Sequence, residues 1–294
     1  MADLFGFLNI NKPLGMTSHD VVAKIRRALH IKRVGHAGTL DPLATGVLVV
    51  CIDEATRLSD FVMHGQKTYR AKIRFGETTE TYDAEGAIIT RADTSHLTQA
   101  HIEAILPQFM GDIEQIPPMY SAIKKDGKKL YELARAGESI TLEPRHVTIL
   151  QLTVTQFESP LADVEVVCGS GTYIRSLAHD MGQILGVGAH LAGLIRTRSG
   201  AFDIAQAHHL DDIINHPNPE SCLVDEQVAL AHFPAIQVDP TDTDHILHGR
   251  TPQNTPQPTA DLGRAYDPTG KFIALLRAEN KQWKPYKVFS SASL

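Results

Sequence analysis

From Phe5 to Asn11 the chain alternates with period 2 and reads as a strand. Lys12-Pro13-Leu14-Gly15 then supplies a turn, and Thr17 to His30 reads as a helix. Thr17 with Asp20 three residues on resembles a capping box. Val21, Val22, Ile25 and Leu29 fall on one stripe, while Lys24, Arg26 and Arg27 point elsewhere. Gly46 to Ile52 is a continuous apolar run suited to a buried strand, and Glu54 to His64 reads as a short helix. Thr68 to Phe75 alternates again, so Tyr69, Ala71, Ile73 and Phe75 share one face.

Thr98 to Phe109 reads as a helix that Pro107 ends or kinks. Val147 to Phe157 and Ala162 to Cys168 read as neighbouring strands, followed by a helix from Thr172 to Leu185 after Gly169-Ser170-Gly171. Strands and helices alternate without the spacing of a doubly wound parallel sheet, so the pattern predicts an α+β domain built on one large mixed sheet. Ile116 to Arg145 reads as an insertion that opens with Pro117-Pro118 and carries the densest Lys cluster. A second boundary falls near His216-Pro217-Asn218-Pro219. Past about Val224 come short strand candidates, Phe272 to Leu276 and Tyr286 to Phe289, and a Pro/Thr-rich loop around Thr251 to Thr259, the profile of a small β-barrel. A chain of 294 residues suits one large core and a smaller one, divided here as 1–223 and 224–294.

Hydrophobic residues at 43% and charged residues at 21% place the chain among folded globular proteins. No apolar stretch approaches the roughly 20 residues of a membrane helix and the N-terminus has no leader pattern, so the cytosol is the expected location. Cys51, Cys168 and Cys222 are too widely spaced for a zinc ribbon or a disulfide framework, and read as buried free thiols. The chain has 15 His, and His245 and His248 would share a helical face, but no further ligand completes a metal set. No metal and no cofactor are expected. A net charge of −6 argues at first against a polyanionic partner. The distribution argues the other way, because nine carboxylates and no Lys or Arg lie between Asp203 and His245. Cations concentrate instead at Lys24 to Arg33, at Lys124, Lys125, Lys128, Lys129 and Arg135, and after Lys271, leaving local basic fields.

Gly169 to Gly171 lacks the ending of a phosphate loop, and no nucleophile elbow occurs. The segment Val34-Gly35-His36-Ala37-Gly38-Thr39-Leu40-Asp41-Pro42-Leu43-Ala44-Thr45-Gly46 is more informative. Pro42 disfavours the helical region for Asp41, so the carboxylate is presented from an extended residue in a constrained loop. From the residues alone, an Asx-type turn accounts for Asp41 as well as a catalytic role does.

Here the chain resembles the TruB family of tRNA pseudouridine synthases. Asn11-Lys12-Pro13-Leu14-Gly15-Met16-Thr17-Ser18 is similar to the family's opening motif, and Gly38-Thr39-Leu40-Asp41-Pro42 to its catalytic motif. Gln115 to Lys124, continuing through Tyr131 to Gly137, resembles the start of its RNA-gripping insertion, the thumb. Cys168 to Leu177 resembles its third active-site segment, and the tail resembles a PUA RNA-binding domain. The resemblance implies a pseudouridine-synthase catalytic domain on a large mixed, mainly antiparallel sheet, plus a small PUA-like β-barrel.

It further implies that a uridine in the T-arm loop of tRNA, position 55, is flipped out and isomerised without a cofactor, by a chain acting as a monomer. Asp41 is then the catalytic carboxylate, acting on the ribose or on the base, and Arg175 pairs with it. Tyr69 stacks on the uracil, Tyr173 and Leu194 line the pocket, and His36 holds the RNA while the base leaves the stack. Lys124, Lys125, Lys128, Lys129 and Arg135 are the expected phosphate contacts. Two other readings stay open: an N-glycosidase using the same carboxylate, and an RNA-folding protein in which catalysis is incidental.

Overall fold

The computed structural model describes residues 5–120 and 142–289, with the backbone alone at Lys124, Lys125, Lys128 and Lys129. Strands β1 (Gly6–Lys12), β2 (Val34–His36), β3 (Ala44–Ile52), β4 (Lys67–Phe75), β5 (Gly111–Gln115), β6 (Arg145–Glu158), β7 (Leu161–Cys168) and β8 (Ala189–Ser199) belong to one sheet of ten strands. Its order is 208–209, β1, β3, β8, β4, β7, β6, β5, with β2 pairing β3 and 202–203 pairing β8. β8 runs parallel to β3, and 208–209 parallel to β1; the other pairings are antiparallel. This is the one large mixed sheet the pattern predicts, with the mainly antiparallel pairing that the resemblance implies.

Helix α1 (Ser18–Ala28) opens with the expected capping box, Thr17 and Asp20 each bonding the other's backbone N–H. Its buried Val21, Val22 and Ile25 cover the sheet. Helix α2 (Gln99–Ile105) gives way to a 3-10 turn that contains Pro107. Glu54–His64 is not one helix: a 3-10 segment, Asp53–Leu58, is followed by Ser59–Met63. Helix α3 (Ile174–Ile184) starts two residues later than its pattern suggests and packs on β8. Cys51 and Cys168 are buried, but Cys222 is half-buried, a correction to its reading as a core thiol.

Beyond α4 (Glu226–Ala229), strands β9 (Ala235–Gln237), β10 (Leu262–Tyr266), β11 (Phe272–Glu279) and β12 (Gln282–Val288) form a second sheet in that order. Among the described residues no ladder closes it into the expected barrel. The two sheets share a core: Phe7, Val47, Val49, Leu58 and Val62 pack with Leu230, Tyr266, Phe272, Leu275 and Phe289. Arg57 reinforces it, donating from Nη1 to the Val288 carbonyl at 2.9 Å with its guanidinium over the Phe289 ring. Among the described residues no helix is long and apolar enough to cross a membrane.

Candidate active site

The loop between β2 and β3 carries Asp41, and three elements fix its main chain. From β8, Arg196 donates to the carbonyls of Gly38 (3.0 Å) and Thr39 (3.4 Å), and its Nε to that of Val47 (2.7 Å). At the start of α1, the Ser18 hydroxyl donates to the Leu40 carbonyl and accepts from the Leu40 N–H. At the end of β1, Lys12 Nζ donates to the carbonyls of Pro13, Met16 and Pro42, and the Gly15 N–H also meets Pro42. Burial pulls the Lys12 ammonium down to about 8, against the attraction of Asp41. Gly46 has φ +95°, and a Cβ there would stand 2.2 Å from the Arg196 carbonyl oxygen. Only glycine lets β8 lie along β3 at this point.

Asp41 projects from this loop toward Arg175, in the first turn of α3. Arg175 Nε lies 3.0 Å from Asp41 Oδ2, and Nη1 lies 3.4 Å from Asp83 Oδ2. The same guanidinium donates to the carbonyls of Thr81 (3.3 Å) and Tyr120 (2.9 Å). Asp83 is itself fixed, accepting from the Thr81 hydroxyl (2.5 Å) and the Glu85 N–H (3.0 Å). The side chains of Arg175 and Asp83 are 7% and 4% exposed, whereas that of Asp41 is 40% exposed. The pair thus has a buried base in Arg175 and Asp83, while the Asp41 carboxylate keeps one face open. Burial by the surrounding protein pushes the Asp41 carboxyl above its usual range, Arg175 pulls it down, and Asp83 pushes it up. Glu85 is raised by burial and by both aspartates.

This balance predicts a pH effect. Chemistry that uses ionised Asp41 is lost as pH falls through its pKa, and Arg175 is the main group holding that pKa down. In Arg175→Met the acid limb of the single-turnover pH profile should move to higher pH. An acid limb left in place would show that Arg175 does not hold Asp41 ionised.

Tyr69 is buried on β4, where burial raises its phenol and Asp41 is close enough to raise it further. The β4 ladder places Tyr69 opposite Arg196 and Ala71 opposite Leu194, while Leu194 also pairs Ala44, three residues after Asp41. Tyr173 is the N-cap of α3, two residues before Arg175. Asp41, Tyr69, Tyr173, Arg175 and Leu194 thus come from the β2–β3 loop, β4, the start of α3 and β8, with β4 and β8 paired and Arg175 reaching Asp41. His36, at the end of β2, faces His19 of α1 instead, with ring nitrogens 3.4 Å apart. Burial, His19 and Arg196 bring the His36 ring down to about 4, so it is neutral at physiological pH. The backbones of Lys124 and Lys125 pair with those of Lys129 and Lys128; their side chains, and all of Arg135, lie outside the described residues.

The family model for the TruB pseudouridylate synthase N-terminal domain matches residues 26–174, more than half the chain. The chain belongs to the TruB family. Models for the tRNA pseudouridylate synthase B C-terminal domain and the tRNA pseudouridine synthase II C-terminus match 175–231 and 233–290. A tRNA pseudouridine synthase B of Symbiobacterium thermophilum is 47% identical over 254 residues, 85% of this chain and 84% of that one. One of Pseudomonas aeruginosa is 43% identical over 276 residues, 92% and 90% of the two chains. A chain of the crystal structure of a Cbf5-Nop10-Gar1 complex superposes with a TM-score of 0.78 at 26% identity, covering 99% of this chain and 86% of that one.

Two residues that shape this TruB site, Arg196 and Asp83, lie outside every motif the sequence offers, and Ser18 closes the opening motif without a role of its own. Asp83 lies in the turn Thr81 to Gly86 and looks like loop chemistry, and Ser18 looks like part of a helix start. The nearest thing to a signal is an Arg in an apolar run, Leu194-Ile195-Arg196, since a buried Arg needs a reason to be there.

Proposed function

We propose that this TruB chain isomerises one uridine in the T-arm loop of tRNA, position 55, to pseudouridine, with Asp41 carrying the glycosidic-bond chemistry. The observation that carries the reading is the Asp41–Arg175 pair, one face open, on a loop whose carbonyls are held from three sides. The reaction breaks the C–N glycosidic bond, turns the uracil, and forms a C–C bond at the same ribose carbon, so atoms and charge balance without a co-reactant. A fixed carboxylate is sufficient for it, as nucleophile or as base. Tyr69 stacks on the flipped uracil, Tyr173 and Leu194 close the pocket around it, and neutral His36 contacts the RNA left behind.

Residues 1–223 form the catalytic unit, and 224–294 form a PUA-like unit that holds the acceptor end of a full tRNA. The protein acts as a cytoplasmic monomer. Digesting a treated T-arm stem-loop to nucleosides tests the reaction class. Pseudouridine without free uracil is expected; free uracil would mark an N-glycosidase, and neither product would mark a binding protein.

The insertion supplies phosphate contacts through Lys124, Lys125, Lys128, Lys129 and Arg135. Neutralising all five should flatten the salt dependence of T-arm binding by about 0.7 to 0.9 log unit per lost contact. A slope identical to that of the unaltered chain would place the RNA elsewhere.

A further inference from the structure

We infer that Gln115 is a positioning residue that registers the first turn of α3 to the root of the insertion, so that Tyr173 and Arg175 reach the substrate in one fixed arrangement. The inference rests on Asp41 and Arg175 being the reacting pair. Tyr173 is the N-cap of α3, yet its side chain does not cap the helix. A distant side chain holds its main chain instead: Gln115 Oε1 accepts from the Tyr173 N–H at 2.7 Å, and Gln115 Nε2 donates to the Tyr173 carbonyl at 3.0 Å. Gln115 is buried and is the last residue of β5, immediately before the insertion.

Two more bonds run between the same segments. Ser176 Oγ donates to the Ile116 carbonyl at 2.8 Å, and Arg175 Nη2 donates to the Tyr120 carbonyl at 2.9 Å. Residues 173, 175 and 176 are thus tied to 115, 120 and 116, so the insertion's root and the arginine-bearing turn form one unit.

The amide is suited to this place because it offers one donor and one acceptor side by side, matching the N–H and C=O of one peptide residue. Methionine keeps the length and offers neither. A protonated carboxyl offers both, while an ionised one would set its oxygen against the Tyr173 carbonyl. Burial and that carbonyl both favour the neutral acid in a Gln115→Glu variant. Releasing the turn displaces Arg175 and Tyr173 together, and a misplacement of about 1 Å can cost on the order of 100-fold in rate.

The test compares single-turnover pseudouridine formation, T-arm affinity and thermal unfolding for the unaltered chain, Gln115→Met and Gln115→Glu across pH. Above the acid limbs of both proteins, Gln115→Met should lose roughly 100-fold in rate by a factor independent of pH, with little change in affinity. Relative to the unaltered chain, Gln115→Glu should recover as pH falls through the titration of its new carboxyl. In an Arg175→Met background, Gln115→Met should add little, because both act on one unit. A near-normal rate for Gln115→Met, a pH-independent ratio for Gln115→Glu, or full additivity with Arg175→Met would each overturn the inference. Should Gln115→Met fail to fold, Gln115→Glu in its two protonation states decides the question within a single protein. If the unaltered chain makes no pseudouridine, the reading of Asp41 fails, which is a different result from product formation that ignores Gln115.

Discussion

Asp41→Asn should leave a folded protein that binds T-arm RNA and makes almost no pseudouridine. Asn preserves the size of the side chain but can act neither as a nucleophile nor as a carboxylate base. Loss of an essential catalytic group lowers turnover by roughly 10⁴-fold. The loop should survive the change, because its turn is closed through the main chain, the Ala44 N–H donating to the Asp41 carbonyl at 3.0 Å. The partner of the carboxylate itself is Arg175. In Asp41→Asn, Arg175 keeps Asp83 and the carbonyls of Thr81 and Tyr120. Affinity should change little, since a polyanion is held mainly through phosphate contacts. Single-turnover rates, binding and melting curves on one RNA separate these effects. A folded variant with near-normal rate would make Asp41 a turn residue only.

Ending the chain at Val224 should abolish the cooperative fold, not merely weaken tRNA binding. The second sheet packs on Phe7, Val47 and Val49 of the first and on Leu58 and Val62 of the helical turns after β3, so its removal returns these apolar side chains to water. Burial of a large apolar side chain is worth about 1.5 to 3 kcal/mol. Several of them together are comparable to the roughly 5–15 kcal/mol by which a domain is stable. Arg57 would also lose the Val288 carbonyl and the Phe289 ring. The shortened chain should aggregate or melt without a cooperative transition, as followed by circular dichroism. A cooperative melt near that of the full chain would show that the catalytic unit does not depend on the shared core.

Much of this fold is legible in the sequence because its signals are periodic. The alternation at β1 and β4, the apolar run at β3 and the Thr17–Asp20 box each mark an element that forms where the pattern places it. The sheet's central strand β8 is not legible. His190, Gly193, Arg196 and Arg198 interrupt its apolar pattern, and its buried Arg196 is there to hold the Asp41 loop. Local rules fail most where function overrides them. The small sheet is only half legible, because β9 and β10 are short and lie on either side of the Pro/Thr-rich loop. The resemblance implies an Arg175–Asp41 pair, and the two meet at 3.0 Å. Asp83 escapes notice because its importance comes from a contact with a helix far along the chain, and no local pattern encodes a long-range partner.

The most direct measurement is positional mapping of pseudouridine by chemical probing in an unmodified full-length tRNA transcript treated with the purified protein. The account predicts conversion at one uridine, position 55 of the T loop, and none after treatment with Asp41→Asn. Conversion at other positions, or equal conversion by the Asp41→Asn protein, would contradict it.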